Sequence, residues 1–334
     1  MILTRFYIII LFILTACNSQ NLDSYDGTEI VKIPLAGEIN NPNAEISGLD
    51  WFKDQLILMP EDPQSFSDNN CFRIGKSDII KFLDNNISEP ITTHSVRINV
   101  DFTDYINGIE GFEAIAFSND TIFAVIEAKE NSMMKAWLLR GVINKDMSQI
   151  NFDPDKIVNI PAPGHLKNFS VETIFINNKN VCCVYEANGR NVNHTPVVYV
   201  FSKELDFIST IPFPNIEYRI TDATKLINGH LWVTNTYYTG EQHELDIAAE
   251  NLSPVTTGTP ERHVERIIEL LVYDDRVEIA DNQPFMIKTI PEAVRNWEGL
   301  ALFDDRGFLV VNDKFPKKGG TILAFIKRQI KSDN

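Results

Sequence analysis

The sequence predicts an all-β chain: a five-bladed β-propeller whose ring is closed by the N-terminal strand. Three observations predict it. A hairpin pattern recurs five times, one or two further strand-like runs follow each copy, and an isolated N-terminal run has the ending of an outermost strand. The hairpin is clearest in Gly111–Lys129, where Glu113-Ala-Ile-Ala-Phe117 leads through Ser118-Asn119-Asp120 to Thr121-Ile-Phe-Ala-Val-Ile-Glu127. Two β-rich runs around a tight polar turn are a hairpin signal. The other copies start at Ser47, Glu172, Asp222 and Glu298 and return at Glu61, Glu186, Thr236 and Asp313. The offset from first to last of these residues is 14 in four copies and 15 in the fifth, whose turn is one residue longer.

Taken in order, residues 1–16 have the form of an export signal, with Arg5 before the apolar run Phe6–Leu14. That run is too short to be a permanent span. Leu14-Thr15-Ala16-Cys17 resembles the bacterial lipoprotein signal, which implies cleavage before Cys17 and lipidation of its thiol. An ordinary signal peptide beside a chance cysteine is the plainer alternative. The resemblance implies a lipid-anchored protein of the cell envelope, held by the bilayer through Cys17. Asn18 leans towards the outer membrane, or a periplasm-facing site, in a Gram-negative cell. Residues 17–27 are polar and read as a tether, and 28–334 as a single propeller domain.

Glu29–Ile33 ends in Ile-Pro, as do the runs finishing at Ile160-Pro161, Ile211-Pro212 and Ile290-Pro291. Proline belongs on edge strands, where no ladder donor is lost, so these runs are expected to be outermost. The first hairpin is followed by Cys71–Ile74 or Ile79–Phe82, then Ser95–Val100. The second is followed by Ala136–Ile143 and Lys156–Ile160, the third by Val197–Ser202 and Phe207–Ile211, the fourth by Ile267–Tyr273 and Phe285–Ile290. Only Thr321–Lys327 follows the fifth, so the N-terminal run is needed as its fourth strand. Radial repetition of this kind leaves a central channel. The interval from 222 to 298 holds an insertion near 239–265, read as a loop, and leaves a six-bladed ring as the alternative.

The formal charge of −16 argues against nucleic acid and anionic surfaces and suits a cation. Cys71, Cys182 and Cys183 remain once Cys17 is set aside, an odd number that excludes a full disulfide framework. Cys182 and Cys183 read as small buried fillers on opposite faces of a strand, and a bridge from Cys71 to one of them stays open. Gly75-Lys76-Ser77 has Asn70 where a phosphate loop needs glycine. The six histidines show no metal-ligand spacing.

First strands line the channel of a propeller, so Ser47, Glu113, Glu172, Asp222 and Glu298 should converge on the axis. Four carboxylates there require a cation or protons. Oxygen donors without His or Cys select a hard ion, Ca²⁺ before Mg²⁺. The returning ends Glu61, Glu127, Glu186 and Asp313 are the candidate catalytic carboxylates, on the same face as Thr236. Lys129, Arg190 and Lys314 follow three of them and are candidate substrate clamps. Such a mouth suits phosphate chemistry: cations neutralise and hold the oxygens while a carboxylate positions or deprotonates water.

Ser47-Gly-Leu, Glu113-Ala-Ile-Ala, Glu172-Thr-Ile, Asp222-Ala and Trp297-Glu298-Gly-Leu resemble the central ligand set of the calcium-activated nucleotidase (apyrase) five-bladed propellers, which reads Ser, Glu, Glu, Ser, Glu. Phe-Glu-Ala-Ile-Ala, Asn-Trp-Glu-Gly-Leu-Ala and Val-Val-Asn-Asp are similar to the exported esterase-like phytases. The resemblance implies central calcium, with Asp222 in place of the second Ser. Those nucleotidases carry Asp-Asp-Arg-Thr-Gly where this chain has Pro60-Glu61-Asp62-Pro63. The expectation is a calcium-dependent hydrolase of a phosphate ester or anhydride, acting on a phosphorylated small molecule. Its rival is a non-catalytic propeller with structural calcium that binds an envelope protein or glycan at its rim.

Overall fold

The computed structural model describes residues 30–41, 44–85, 87–163, 166–238, 240–249, 252, 263–287, 296–312 and 321–328. The signal, Cys17, the tether, Ile290-Pro291, Asp313 and Lys314 lie outside them. The described chain is almost all sheet, ordered as successive antiparallel meanders.

The first meander contains β2 (Ile46–Phe52), β3 (Gln55–Pro60), β4 (Asn70–Gly75) and β5 (His94–Ile98), after the N-terminal β1 (Ile30–Ile33). The second is β6 (Ile109–Ser118), β7 (Thr121–Glu130), β8 (Met133–Ile143) and β9 (Gln149–Ile160). These two share one eight-stranded sheet through a short parallel pairing, Gln149 with Arg97 and Ile150 with Ile98. The third is β10 (Val171–Asn177), β11 (Asn180–Tyr185), β12 (Val197–Ser202) and β13 (Phe207–Pro212). The fourth is β14 (Arg219–Ala223), β15 (His230–Tyr237), β16 (Val264–Val272) and β17 (Val277–Ile279). The fifth joins β18 (Trp297–Phe303), β19 (Gly307–Asn312) and β20 (Leu323–Lys327) to β1. That last pairing, Ile33 opposite Leu323, is the closure the isolated N-terminal run predicts.

The first strands of the meanders neighbour one another in cyclic order: β2 against β6, β6 against β10, β10 against β14, β14 against β18, and β18 back against β2. Apolar residues on alternate faces pack between the meanders. Cys183 belongs to the cluster shared with Ala114, Val125 and Tyr237, whereas its neighbour Cys182 faces the cluster of Phe175, Ile220 and Leu231. Cys71, Cys182 and Cys183 are buried free thiols, so the bridge left open by the sequence is not made.

Two strand expectations change. Ile79–Phe82 is helical, inside Lys76–Asn85, where Ile79 is the buried residue of an amphipathic turn rather than part of a ladder. The outer strand of the fourth meander is Val277–Ile279; Phe285–Met286 pairs instead with Arg266 and Ile267, farther along β16.

Candidate functional site

Every first strand carries an extra residue relative to its partner, with a second one, Glu110, in β6, and these bulges fix the site. The register skips at Ser47, Glu113, Glu172, Thr221 and Glu298. A bulge leaves its extra residue out of the ladder and re-aims its side chain. Four of the five are the residues expected at the axis. In the fourth meander the bulged residue is Thr221, and Asp222 lies one position along.

Thr221 and Ser47 do the same work two meanders apart. Ser47 Oγ donates to Phe112 O and Thr221 Oγ1 donates to Trp297 O at 2.6 Å, in each case the carbonyl just before the bulged glutamate of the neighbouring first strand. Asp222 is fully buried and bonded elsewhere. Its Oδ1 accepts from Ala223 N (2.8 Å) and its Oδ2 from Leu300 N (2.7 Å). Asp50 repeats this, accepting from Trp51 N and Phe117 N, both at 2.7 Å. Both aspartates therefore tie one first strand to the next, and Asp222 is spent on backbone.

The glutamates form one electrostatic cluster. Burial, then the charges of Glu127, Glu172, Glu61 and Glu298, push Glu113 well above the usual carboxylate range. Glu127, hydrogen-bonded to Glu113, is pushed up to about 8, chiefly by burial and then by Glu172. Burial and Glu172 likewise raise Glu186, whose Oε1 accepts from Ser170 N at 2.7 Å. Two like carboxyls in a buried site share protons rather than both ionise. Glu127 Oε1 and Glu172 Oε2 are buried without a hydrogen-bond partner, a costly state for a charged oxygen.

The counter-charge is a residue the sequence reading missed, Arg219. Its Nε meets Glu186 Oε2 at 2.6 Å, Nη2 meets Glu172 Oε1 at 2.7 Å and Nη1 meets Glu241 Oε1 at 3.2 Å. Its side chain is 14% exposed, and these carboxylates hold it protonated. The expected clamps stand apart. Lys129 and Arg190 are exposed and pair with none of these glutamates; their backbone N–H groups bond to Gly108 O and Glu217 Oε1. Glu298 is part-buried, accepts from Asn296 at 2.5 Å and acts on both Glu113 and Arg219.

The donor set fits a hard cation in kind: carboxylates and hydroxyls only, with two buried oxygens wanting a partner. Among the described residues, however, no three His, Cys, Asp or Glu side chains are arranged to hold a metal ion as they stand. The guanidinium of Arg219 neutralises Glu172 and Glu186 instead.

No protein-family model matches the chain, and no curated protein does. Solved structures do. A GH43 β-xylosidase/α-arabinofuranosidase from a compost microbial metagenome, in complex with xylotriose and calcium-free, aligns over 92% of this chain and 97% of its own at 8% identity and TM-score 0.53. A GH43_1 enzyme from Xanthomonas citri aligns over 90% and 92% at 11% identity and TM-score 0.51.

The chain has a propeller-like fold. That much of the sequence expectation stands. The similarity does not extend it to the nucleotidase or phytase families, and at these identities it carries the fold alone.

Proposed function

We propose that the chain is an exported, lipid-anchored, five-bladed propeller whose axial cluster binds calcium and hydrolyses a phosphate ester or anhydride. The cyclic order of five first strands supports the blade count. The observation that carries the activity is Arg219, a part-buried guanidinium held by Glu172 and Glu186 at the same cluster as Glu113 and Glu127. A planar, permanently charged fork is the side chain best matched to phosphate oxygens.

Ser47, Glu113, Glu172, Thr221 and Glu298 are the oxygen donors assigned to calcium. Thr221 replaces Asp222 in this set because it occupies the bulge and Asp222 is bonded to two N–H groups. Bound there, calcium would neutralise the charge that four or more glutamates otherwise concentrate, and polarise a phosphate oxygen. Arg219 binds and orients the anion. Glu127, paired with Glu113 by a hydrogen bond and raised chiefly by burial, is suited to pass a proton to the leaving oxygen. Glu61 and Glu186 shape the field of that pair, and Asp313 lies outside the described residues.

A second reading is glycoside hydrolysis, favoured by the same carboxyl cluster. A raised acid beside a second carboxylate is also the equipment for cleaving a glycosidic bond, and the two solved structures above are glycoside hydrolases. The test is product analysis on the mature chain with calcium and with chelator. Calcium-dependent phosphate release from sugar phosphates, nucleotides or phytate, lost in Glu127→Gln, is expected. Release of reducing sugar without phosphate selects the second reading. If calcium raises the melting temperature and neither product forms, the non-catalytic propeller is correct.

A further inference from the structure

Beside the carboxyl pair, between the first and second meanders, lies a cleft of about 280 Å³. That is close to the lower end of the ~300–1,000 Å³ usual for small-molecule sites. Its link to the cluster is Glu61, which lines the cleft and whose charge acts on Glu113; Phe112 and Ile126 also line it. Gly111 lets Glu61 lie against its strand: a β-carbon there would fall 2.1 Å from Glu61 Cγ.

The polar wall of the cleft has been turned into acceptors. Asp101 does most of this from behind, because its Oδ1 takes one of the two Gln64 amide protons and the Thr103 hydroxyl proton, each at 2.6 Å. The two amide protons of Asn69 are likewise committed, to Ile98 O at 3.1 Å and Val100 O at 3.0 Å. Thr103 and Asn69 therefore offer a ligand oxygen lone pairs, and Gln64 offers its carbonyl oxygen together with one remaining N–H. Glu61, Asp62 and Glu110 add carboxylates, and no lining side chain is basic. Phe102 and Phe112 supply a flat apolar side, packed edge to face with centroids 5.9 Å apart. A surface of acceptors beside aromatic rings complements a molecule with many O–H or N–H donors and apolar C–H faces. It repels a polyanion.

We infer that this cleft is the subsite for the organic part of the substrate, and that it takes a sugar or amino sugar rather than a nucleotide or a polyphosphate. The inference rests on the axial cluster being the reacting centre. Phosphate groups belong at Arg219 and the ring at the cleft, so a sugar monophosphate is the matching ester.

Saturation-transfer NMR on the full mature chain tests the subsite without turnover, with D-glucose, D-glucosamine, ATP and inositol hexakisphosphate as probes. Glucose or glucosamine should bind, and Gln64→Ala and Thr103→Val should each weaken binding several-fold. Both variants keep the fold, which a thermal melt verifies, since neither side chain is in the core. No sugar signal, or sugar binding unchanged in both variants, overturns the inference. So does phosphate release from inositol hexakisphosphate or ATP as fast as from glucose 6-phosphate. Sugar binding that is weakened by both variants, with no phosphate released from any ester, sustains the subsite and overturns only the phosphohydrolase reading.

Discussion

The first strands bury carboxylates at two levels, and the levels are not alike. Towards the hairpin turns, Asp50 and Asp222 each spend both oxygens on backbone N–H groups, one on their own strand and one on a neighbouring meander. At and beside the bulges, Glu113, Glu127 and Glu172 face one another and leave two buried oxygens without partners, while Glu172 shares the Arg219 guanidinium with Glu186 and Glu241. Burial alone does not mark a functional acid. A buried carboxylate whose valences are filled is a tie between blades; one left short of partners beside others is a site awaiting a ligand.

The sharpest way to break this contrast is to remove Arg219. Arg219→Met should cost about 3–5 kcal/mol in calcium-free chemical denaturation, because it strands Glu172 and Glu186 as buried unpaired acids. Calcium should restore much of that loss, which it cannot do for a structural tie. Asp222→Asn comes next. Asparagine has one acceptor oxygen where two N–H groups need bonding, so about 1–3 kcal/mol should be lost with or without calcium. Glu127→Gln should go the other way, raising calcium-free stability at neutral pH by about 1 kcal/mol because a neutral amide spares the cost of protonating a buried carboxylate, while turnover falls by about 10²–10⁴.

The smallest effects are in pH. Glu127 is raised from 4.5 to about 8, so its contribution to calcium-free stability is complete below about 4.5 and lost as pH rises through about 8. Asp50, raised from 3.8 to about 6 chiefly by burial, contributes similarly but loses its share by about pH 6. Saturating calcium should flatten the upper part of that profile and leave the Asp50 part unchanged. Melting curves across pH 4–9 distinguish the two.

Much of the ring was legible in the sequence because hairpins advertise themselves locally. Alternating apolar runs, polar turns and terminal Ile-Pro pairs are properties of adjacent residues, and even the closing strand announced itself by lacking a partner. What could not be read locally was the bulge. Taking all but the fifth hairpin as the same length sets Asp222 opposite Thr236; the fourth hairpin has the longer form too, 15 residues from Thr221 to Thr236. One residue of slip moves a side chain to the other face, here exchanging a hydroxyl for a carboxylate. Arg219 was missed for a related reason. It precedes the bulge on a strand read as starting later, and the acids it meets are 33 and 47 residues upstream. The Lys76–Asn85 helix was missed because Ile79-Ile80 and Phe82 fit a short strand as well as an amphipathic helix.

The pairing of β1 with β20 has a bearing on how the chain comes to exist. Its partners lie ~290 residues apart, and joining such distant segments carries an entropic penalty of about 5 kcal/mol on a simple polymer estimate. Synthesis from the N-terminus leaves that strand waiting without a mate until the final segment emerges, an interval in which exposed ladder groups invite the wrong neighbour. Deleting residues 30–33 should therefore show itself first as aggregation during refolding, ahead of any change in chemistry at the mouth.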